Sequence, residues 1–288
     1  MRILKTTQTY YPYLRKGGPP AKVRGIARAL AQRGHEVTVL TADLGGADDL
    51  SDASDWKPAT GEWGLEWQHD SVNAIYLPAL ANYRATTINR RLLNFCFQRL
   101  AEFDLVHVYG LYDLIGPVVA RFCRRREIPY VVEPLGMFRP RVRSLQKKRL
   151  YHALMGGSLF RGAAVVVATS ETERSELIEG GILAEKIVLR RNGLDLSEFR
   201  SLPSRGAFRT KLGISEKQPV MFFLGRLSFI KGLDLLVQAF SLIDGDARLV
   251  IAGPDDDDGC AQRVCELVDE LNLRGRVIVS APLYGTEK

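Results

Sequence analysis

Short apolar runs alternate with amphipathic segments along almost the entire chain. The apolar runs predict strands at 2–8, 36–42, 73–79, 104–110, 129–136, 163–170, 186–193, 220–225, 248–253 and 276–281. The amphipathic segments predict helices at 19–33, 113–126, 171–180, 231–243 and 260–273. Because the runs are rich in Val and Ile and alternate with helices, the pattern predicts an α/β protein whose parallel sheets are covered on both faces.

Two segments interrupt this alternation. Residues 43–72 are rich in Gly and Asp and contain all three tryptophans, which is typical of a long functional loop. Residues 194–218 form a polar connector with a short helical stretch, which is typical of a boundary between domains. A length of 288 residues also favours about two domains. We therefore predict an N-terminal domain over 1–200 and a C-terminal domain over 201–288.

Composition narrows the class of protein. A hydrophobic content of 46% favours a globular chain over a disordered one. No apolar run approaches the ~20 residues that span a bilayer, and the N-terminus lacks a signal-peptide core, which predicts a cytoplasmic protein. The four cysteines contain no CxxC pair, and Cys260 and Cys265 are poorly spaced for a metal. This usage predicts packed, reduced thiols.

The net charge of +7 is concentrated in one segment. Between residues 121 and 149 there are ten Lys or Arg and two acidic residues, a local charge of +8. Such an excess predicts an anionic partner, which could be a membrane surface, a sugar phosphate or a nucleic acid. On a helix over 141–155 the cations Arg143 and Lys147 would point away from Arg141 and Lys148, whereas a membrane helix should segregate its charges. Peripheral membrane contact through 121–149 stays a prediction, and nucleic acid is disfavoured because no binding motif accompanies the charge.

Glycines and polar residues cluster where the predicted strands end. In an open α/β sheet, ligands bind beyond the carboxyl ends of the strands. The residues at those ends are Gly17, Gly18, Tyr109, Glu133, Asn192, Gly193, Arg226, Gly253, Pro254 and Asp255. We therefore expect the candidate site among these positions.

The stretch "GRLSFIKG" at 225–232 carries the most specific chemistry. Its glycines allow a ligand to approach the backbone, and the free N–H groups of the following helix favour an anion. Arg226 and Lys231 add two positive charges, a combination that suits a diphosphate leaving group. The alternative is that both side chains are ordinary solvated cations.

Other candidates have a structural alternative as well. The glycines of "KGGPP" could cradle a phosphate or form a plain turn. The acidic run "GPDDDDG" at 253–259 could bind a metal or could simply precede a helix. Ser170 and Glu173 have the spacing of a helix capping box. Glu133 ends an otherwise apolar strand, and a buried carboxylate there would contact either a polar substrate or a neighbouring arginine.

The motifs together resemble a known family. "GRLSFIKGLDLLVQAF" is similar to the segment that opens the second domain of retaining glycosyltransferases of family 4, which have the GT-B fold of two Rossmann-like domains. Further segments resemble family segments in the same order, namely "KGGPPAKVRGIARALAQRGHEVTVLTA", "DLVHVYGLYD", "GAAVVVATSETE", "VLRRNGLDLSEF", "IAGPDDDD" and "LYGTEK". The resemblance covers nearly the whole chain.

The resemblance implies transfer of a sugar from a nucleotide-diphosphate sugar, with retention and without an essential metal or other cofactor. Arg226 and Lys231 would hold the donor diphosphate, and Gly17 and Gly18 would face the sugar and acceptor. Tyr109, Asn192 and Gly193 would lie at a cleft, while Gly253, Pro254 and Asp255 would lie near the nucleotide. The acceptor would be a glycan or a lipid-linked sugar, in polysaccharide or cell-envelope glycan synthesis.

The sequence departs from the family pattern in three respects. Tyr109 and Leu135 stand where many relatives have histidines, so no catalytic histidine is carried over and Glu133 becomes the candidate catalytic residue. The sequence also ends before the acidic E-x7-E segment of the family, which predicts an incomplete second domain. That incompleteness leaves a catalytically silent acceptor-binding or scaffold protein as the alternative function.

Overall fold

The computed structural model describes residues 1–14, 17–45, 56–83, 86–140, 144–200 and 202–283. The chain divides into two compact units, 1–194 and 195–288. The division lies six residues before the predicted domain boundary. Each unit has a parallel sheet with helices, so the predicted α/β class is confirmed.

The first unit is built on one large sheet. Its strands are β1 (Arg2–Thr6), β2 (Glu36–Asp43), β3 (Ala59–Thr60), β4 (Leu65–His69), β5 (Val72–Tyr83), β6 (Thr86–Asn89), β7 (Leu105–Tyr109), β8 (Tyr130–Glu133), β9 (Val165–Ala168) and β10 (Ile187–Leu189). Their order is β10-β9-β8-β7-β1-β2-β5-β4-β3, with β6 paired to β5. The strands from β10 to β5 are parallel, whereas β3, β4 and β6 are antiparallel additions. All seven strands predicted in this unit are present.

Helices cover both faces of this sheet. They are α1 (Gly18–Ala31), α2 (Leu92–Gln98), α3 (Ile115–Arg125), α4 (Leu145–Tyr151), α5 (Gly157–Arg161) and α6 (Glu171–Glu179), and a π-helical turn, His152–Gly156, joins α4 to α5. Neighbouring residues of a strand point to opposite faces. Val39 accordingly packs with Val23 of α1, while Leu40 packs with Phe95 of α2 and Phe160 of α5. The Ser170 half of the predicted capping box is confirmed, because its hydroxyl accepts a hydrogen bond from the Glu173 N–H at 3.1 Å, while the Glu173 carboxylate accepts from the Thr169 N–H at 2.8 Å.

The described part of the tryptophan-rich segment is not an extended loop. Residues 59–69 form β3 and β4, which continue the sheet, and residues 46–55 lie outside the described residues. Trp63 and Trp67 are buried, and the Trp67 ring stacks on Tyr11 and meets Trp56 edge to face. These tryptophans therefore stabilise the antiparallel edge of the sheet, which corrects the prediction of a long loop for the described residues, and a functional role for the segment stays a prediction.

The second unit is a smaller parallel sheet. Its elements are α7 (Ala207–Lys211), β11 (Val220–Leu224), α8 (Leu233–Ser241), β12 (Arg248–Ala252), α9 (Cys260–Glu270) and β13 (Val277–Ser280), with strand order β11-β12-β13. The three predicted strands are confirmed. Leu249 and Ile251 of β12 pack against Val237 of α8 and Val264 of α9.

Two further predictions concern the burial of the cysteines and the length of the apolar segments. Cys96, Cys123 and Cys260 are buried thiols, as predicted, whereas Cys265 is exposed because it lies on the outer side of α9. Within the described ranges, every helix is too short or too polar to span a bilayer.

Candidate functional site

Two loops meet at the carboxyl edge of the second sheet. Gly253, at φ +156°, follows β12, and a Cβ atom there would lie 1.8 Å from the carbonyl oxygen of Gly225. Only glycine permits this approach. The Leu227 N–H donates to the Pro254 carbonyl at 2.8 Å, and the Asp256 N–H donates back to the Leu227 carbonyl at 3.1 Å. The loops after β11 and β12 are thus held together by their backbones.

Arg226 and Lys231 both lie on the loop that follows β11. Arg226 donates to the Asp256 carboxylate with an Nη1–Oδ1 distance of 2.6 Å, and its side chain remains 40% exposed. Lys231 is exposed and ends a 3-10 turn immediately before α8. The structure therefore places both cations on the loop between β11 and α8, with Lys231 beside the start of α8 and Arg226 ion-paired to Asp256. Their binding to a diphosphate stays a prediction.

The acidic run after β12 stabilises the cationic loop. Asp258 accepts hydrogen bonds from the Ser228 hydroxyl at 2.7 Å and from the Phe229 N–H at 3.2 Å, and its other oxygen accepts from the Cys260 N–H at 3.1 Å. Asp255 is exposed and accepts from the Asp257 N–H at 3.1 Å. No group of three or more metal-ligating side chains converges in the described part of the chain. Two of the four aspartates in this run, Asp256 and Asp258, therefore have protein groups as hydrogen-bond partners.

A buried carboxylate organises the carboxyl edge of the first sheet. Glu133, at the end of β8, is fully buried. Its oxygens form ion pairs with Lys22 of α1 and with Arg190, whose Nη2 lies 2.5 Å from Oε2, while His107 Nε2 lies 3.4 Å away. Burial by itself would raise the pKa of Glu133, but the contacts of His107 and Lys22 and the charges of Lys22 and Arg190 outweigh it and lower the pKa to about 2.

Lys5 extends this cluster into the sheet. Its ammonium group, in β1, is fully buried and donates to the Tyr109 hydroxyl at 2.7 Å. The Tyr109 ring stacks on His107 with centroids 4.0 Å apart. Burial lowers the pKa of Lys5 to about 7, although the charge of Glu133 acts in the opposite direction, and burial also lowers the pKa of His107 to about 4.

Only part of this cluster was predictable from the sequence. Glu133 was predicted to contact a substrate or an arginine, and the arginine contact is the one present in the structure. Tyr109 was predicted at a cleft, yet its side chain is only 1% exposed, so that role stays a prediction. Lys5 and Lys22 were missed; the one available signal was a lysine inside the apolar run "RILKT".

The predicted glycine loop has one position that requires glycine. Gly17 precedes α1 at φ +106°, a backbone conformation that other residues rarely adopt. Gly18 and Gly193 have open space where a Cβ atom would lie. Asn192 and Gly193 are exposed after β10. The functions expected for these four residues stay predictions.

The basic segment is divided between structural and exposed residues. Arg124 donates to the Ser158 carbonyl at 2.9 Å, and Arg139 pairs with Glu179. Lys147 and Arg149 are exposed on α4, and residues 141–143 lie outside the described residues. Beside α4 lies a groove of about 420 Å³ whose charged walls are balanced, since two arginines face two glutamates.

Comparison with protein families assigns both units. Residues 17–193 match the family described as "Glycosyl transferase 4-like domain". Residues 204–287 match the family described as "Glycosyl transferases group 1". The two matches follow one another in the order expected from the sequence resemblance.

Individual relatives agree with the family matches. An uncharacterized glycosyltransferase of Methanocaldococcus jannaschii is 23% identical over 96% of this chain and 68% of its own length. A D-inositol 3-phosphate glycosyltransferase of Xylanimonas cellulosilytica is 27% identical over 93% of this chain and 65% of its own length. The chain thus spans about two thirds of these two relatives.

Solved structures share the fold. The Anabaena protein HepE, in complex with UDP-glucose, superposes with a TM-score of 0.72 at 18% identity, covering 99% of this chain and 70% of HepE. Sucrose-phosphate synthase from Thermosynechococcus elongatus superposes with a TM-score of 0.67 at 19% identity, covering 99% of this chain and 72% of its own. The chain belongs to the family 4, group 1 glycosyltransferases and has their GT-B type α/β fold.

Proposed function

We propose that the protein transfers a sugar from a nucleotide-diphosphate sugar to an acceptor hydroxyl with retention of configuration. The observation that carries this proposal is that both units match glycosyltransferase families, over 17–193 and 204–287. The UDP-glucose bound by HepE, a protein of the same fold, supports a nucleotide-sugar donor.

The loop after β11 is the proposed donor diphosphate site. Negative charge accumulates on the nucleotide as the sugar bond breaks, and fixed cations stabilise that charge most in a dry site. Arg226 and Lys231 would supply this positive charge, in place of the divalent ion used by metal-dependent transferases. The N-terminus of α8 adds free N–H groups directed at the same anion. The Arg226–Asp256 ion pair would keep the guanidinium in place before the donor binds.

The carboxyl edge of the first sheet is the proposed acceptor side. The family resemblance implies that Gly17 and Gly18 face the sugar and acceptor and that Tyr109, Asn192 and Gly193 lie at the cleft, and we propose these roles here. Both oxygens of Glu133 are occupied by cations, so we propose that it positions Lys22 and Arg190 and is not the group that reacts.

The acceptor would be a glycan or a lipid-linked sugar. The chain is similar to a relative named for D-inositol 3-phosphate and, at 23% identity, to an alpha-monoglucosyldiacylglycerol synthase of Streptococcus pneumoniae. A soluble polyol phosphate and a diacylglycerol lipid are therefore reasonable acceptors to assay first.

Calorimetric titration with UDP, ADP and GDP tests the donor site. One of these nucleotides should bind, and Arg226→Ala or Lys231→Ala should each weaken binding about ten- to a hundredfold, the range for loss of a charged hydrogen bond. Arg274→Ala is the matched control, because Arg274 precedes β13 at the opposite edge of the sheet and pairs with Asp269. Absence of nucleotide binding, or equal binding by Arg226→Ala, would reject the proposal. Nucleotide and acceptor binding without any sugar transfer would point to the silent alternative.

A further inference from the structure

The positive charges around Glu133 outnumber the negative one. Lys22 and Arg190 each form an ion pair with this carboxylate, which carries a single negative charge. His107 adds no charge near neutral pH, because burial lowers its pKa to about 4. Burial lowers the pKa of Lys5 to about 7, so its ammonium group adds a fraction of a charge. These five residues, the Glu133 cluster, therefore have an excess of more than one positive charge at neutral pH.

Arg190 is the member of the Glu133 cluster that reaches solvent. Glu133 and Lys5 are fully buried, and the ammonium nitrogen of Lys22 is buried as well. The side chain of Arg190 is 34% exposed. One of its five N–H groups donates to Glu133 Oε2 at 2.5 Å, which is its one side-chain hydrogen bond within the described residues. The guanidinium is therefore fixed on one side, and its other N–H groups are available to a ligand.

The Glu133 cluster lies at the edge of the first sheet where ligands bind. Glu133 is the last residue of β8, and Arg190 directly follows β10. Lys22 reaches the same carboxylate from the beginning of α1, which starts at Gly18. In an open parallel sheet, ligands bind beyond the carboxyl ends of the strands. The exposed part of Arg190 therefore belongs to the proposed acceptor side.

A carboxylate that is shared in this way does not neutralise Arg190. Lys22 draws on the same negative charge from a buried position, where charges act more strongly than in water. A positive potential therefore remains at the exposed guanidinium, and it favours an anion. A guanidinium matches phosphate oxygens through several parallel N–H groups. A phosphate monoester carries a charge of about −1.5 to −2 at pH 7, which balances the excess better than a singly charged diester or carboxylate does.

We infer that Arg190 anchors a phosphate monoester, and that Lys22 maintains the positive potential at its guanidinium by sharing the Glu133 carboxylate. The assignment of this phosphate to the acceptor rests on the proposed function, whereas the binding site itself does not. Glu133 then has a specific task, since it orients Arg190 for the ligand while it stays out of the reaction.

Urea unfolding of the 288-residue chain, followed by tryptophan fluorescence, tests the inference with two small phosphates. All three tryptophans lie in the first unit, so the signal reports the unit that contains the site. At about pH 7.5 methyl phosphate is mainly a dianion, whereas dimethyl phosphate is a monoanion of similar size. At constant ionic strength, methyl phosphate should raise the unfolding midpoint, and dimethyl phosphate should raise it less.

Three variants should change the affinity for methyl phosphate in different directions. Arg190→Gln should weaken it about ten- to a hundredfold, the range for loss of a charged hydrogen bond. Lys22→Gln keeps the guanidinium but leaves Glu133 to Arg190 alone, so the affinity should fall about tenfold. Glu133→Gln removes the competing carboxylate, so the affinity should rise, and methyl phosphate should restore part of the stability that this variant loses. A purely structural cluster would not give these opposite signs.

Two control variants separate this site from other positive charges. Arg33→Gln removes an exposed cation between α1 and β2, at the opposite edge of the sheet, and should bind methyl phosphate like the unaltered chain. Arg226→Ala should also retain the shift of the tryptophan transition. Nucleotide titration of Arg190→Gln should match that of the unaltered chain, so a failure here is distinct from a failure of the donor site. Circular dichroism should show that each variant is folded before it is titrated.

Several results would overturn the inference. They are no midpoint shift with methyl phosphate, an equal shift with dimethyl phosphate, unchanged affinity in Arg190→Gln, and an equal loss of affinity in Arg33→Gln. If Glu133→Gln does not fold, the comparison of Arg190→Gln and Lys22→Gln with Arg33→Gln still decides the question.

Discussion

At the scale of single residues, the first unit is organised by charges that are removed from water. Glu133 and Lys5 are both fully buried, and the Glu133 carboxylate holds two cations from distant parts of the sequence, Lys22 and Arg190. Burying a charge costs several kcal/mol unless it is paired, so each member depends on the others. One substitution in such a cluster therefore leaves an uncompensated charge.

Replacing Glu133 by glutamine should destabilise the protein strongly. The side chain keeps its shape, but Lys22 and Arg190 lose their buried counter-ion, and breaking a pair of this kind costs about 3–5 kcal/mol. Urea unfolding followed by tryptophan fluorescence would measure the loss. The control is Glu179→Gln, whose 59% exposed carboxylate pairs with Arg139 and should change the unfolding free energy by less than ~1 kcal/mol. An unchanged stability with abolished sugar transfer would instead return Glu133 to the role of a substrate contact.

Lys5 should make stability depend on pH above neutrality. Its pKa is about 7 in the folded chain and 10.5 as a free side chain, so the unfolded chain binds more protons between those values. The free energy of unfolding should therefore rise with pH across this window, by at most about 1.4 kcal/mol per pH unit from this group. Lys5→Met should remove that part of the slope. Unfolding curves at several pH values for both proteins would show it, and parallel slopes would contradict the burial of this charge.

At the scale of secondary-structure elements, strands with continuous apolar runs were predictable and the short antiparallel strands were not. The predicted parallel strands in the middle of the sheets are buried on both faces, which demands Val, Ile and Leu, and the edge strands β10 and β11 were found because their apolar runs are equally continuous. β4, with the sequence "LEWQH", is only partly buried, because it pairs near the antiparallel edge. The alternation of apolar and polar residues in β4 reflects its pairing with β3 and β5. The sequence alone does not specify which strands pair with β4.

The candidate site, like the strands, was predictable only in part. Its location at the carboxyl ends of the strands followed from the alternation of strands and helices. The contacts of Asp256 and Asp258 with the loop after β11 depend on the register that sets Leu224 opposite Ala252, a long-range property. The sequence of this acidic run accordingly predicts a metal site or a helix start, and its contacts with Arg226, Ser228 and Phe229 were not predictable.

Asp258 connects the loop after β12 to the loop after β11, so its substitution should lower the stability of the second unit. Asp258→Asn removes the charge and one acceptor from a carboxylate that receives hydrogen bonds from Ser228, Phe229 and Cys260, which should cost about 1–3 kcal/mol. Asp257→Asn is the matched control, since Asp257 is exposed and asparagine tolerates its φ of +51°. Chemical denaturation followed by circular dichroism would compare them. If both variants lost the same stability, the bracing contacts of Asp258 would be negligible.

At the scale of the whole molecule, each unit has its own hydrophobic core. Leu100, Val106 and Phe160 belong to a core of the first unit, while Val237, Leu249 and Val264 belong to that of the second. All three tryptophans lie in the first unit. Tryptophan fluorescence therefore reports the first unit alone, whereas far-ultraviolet circular dichroism reports the helices of both.

Separate cores predict that the two units respond separately to core substitutions. Leu249→Ala in β12 should destabilise the second unit by about 2–5 kcal/mol, because it leaves a cavity in a fully buried site. The circular dichroism curve should then show an early transition, while the tryptophan transition stays in place. Leu100→Ala, equally buried in the first unit, is the reciprocal variant and should move the tryptophan transition. If both probes shifted together in each variant, the units would unfold as one cooperative body, and the assignment of independent cores would be wrong.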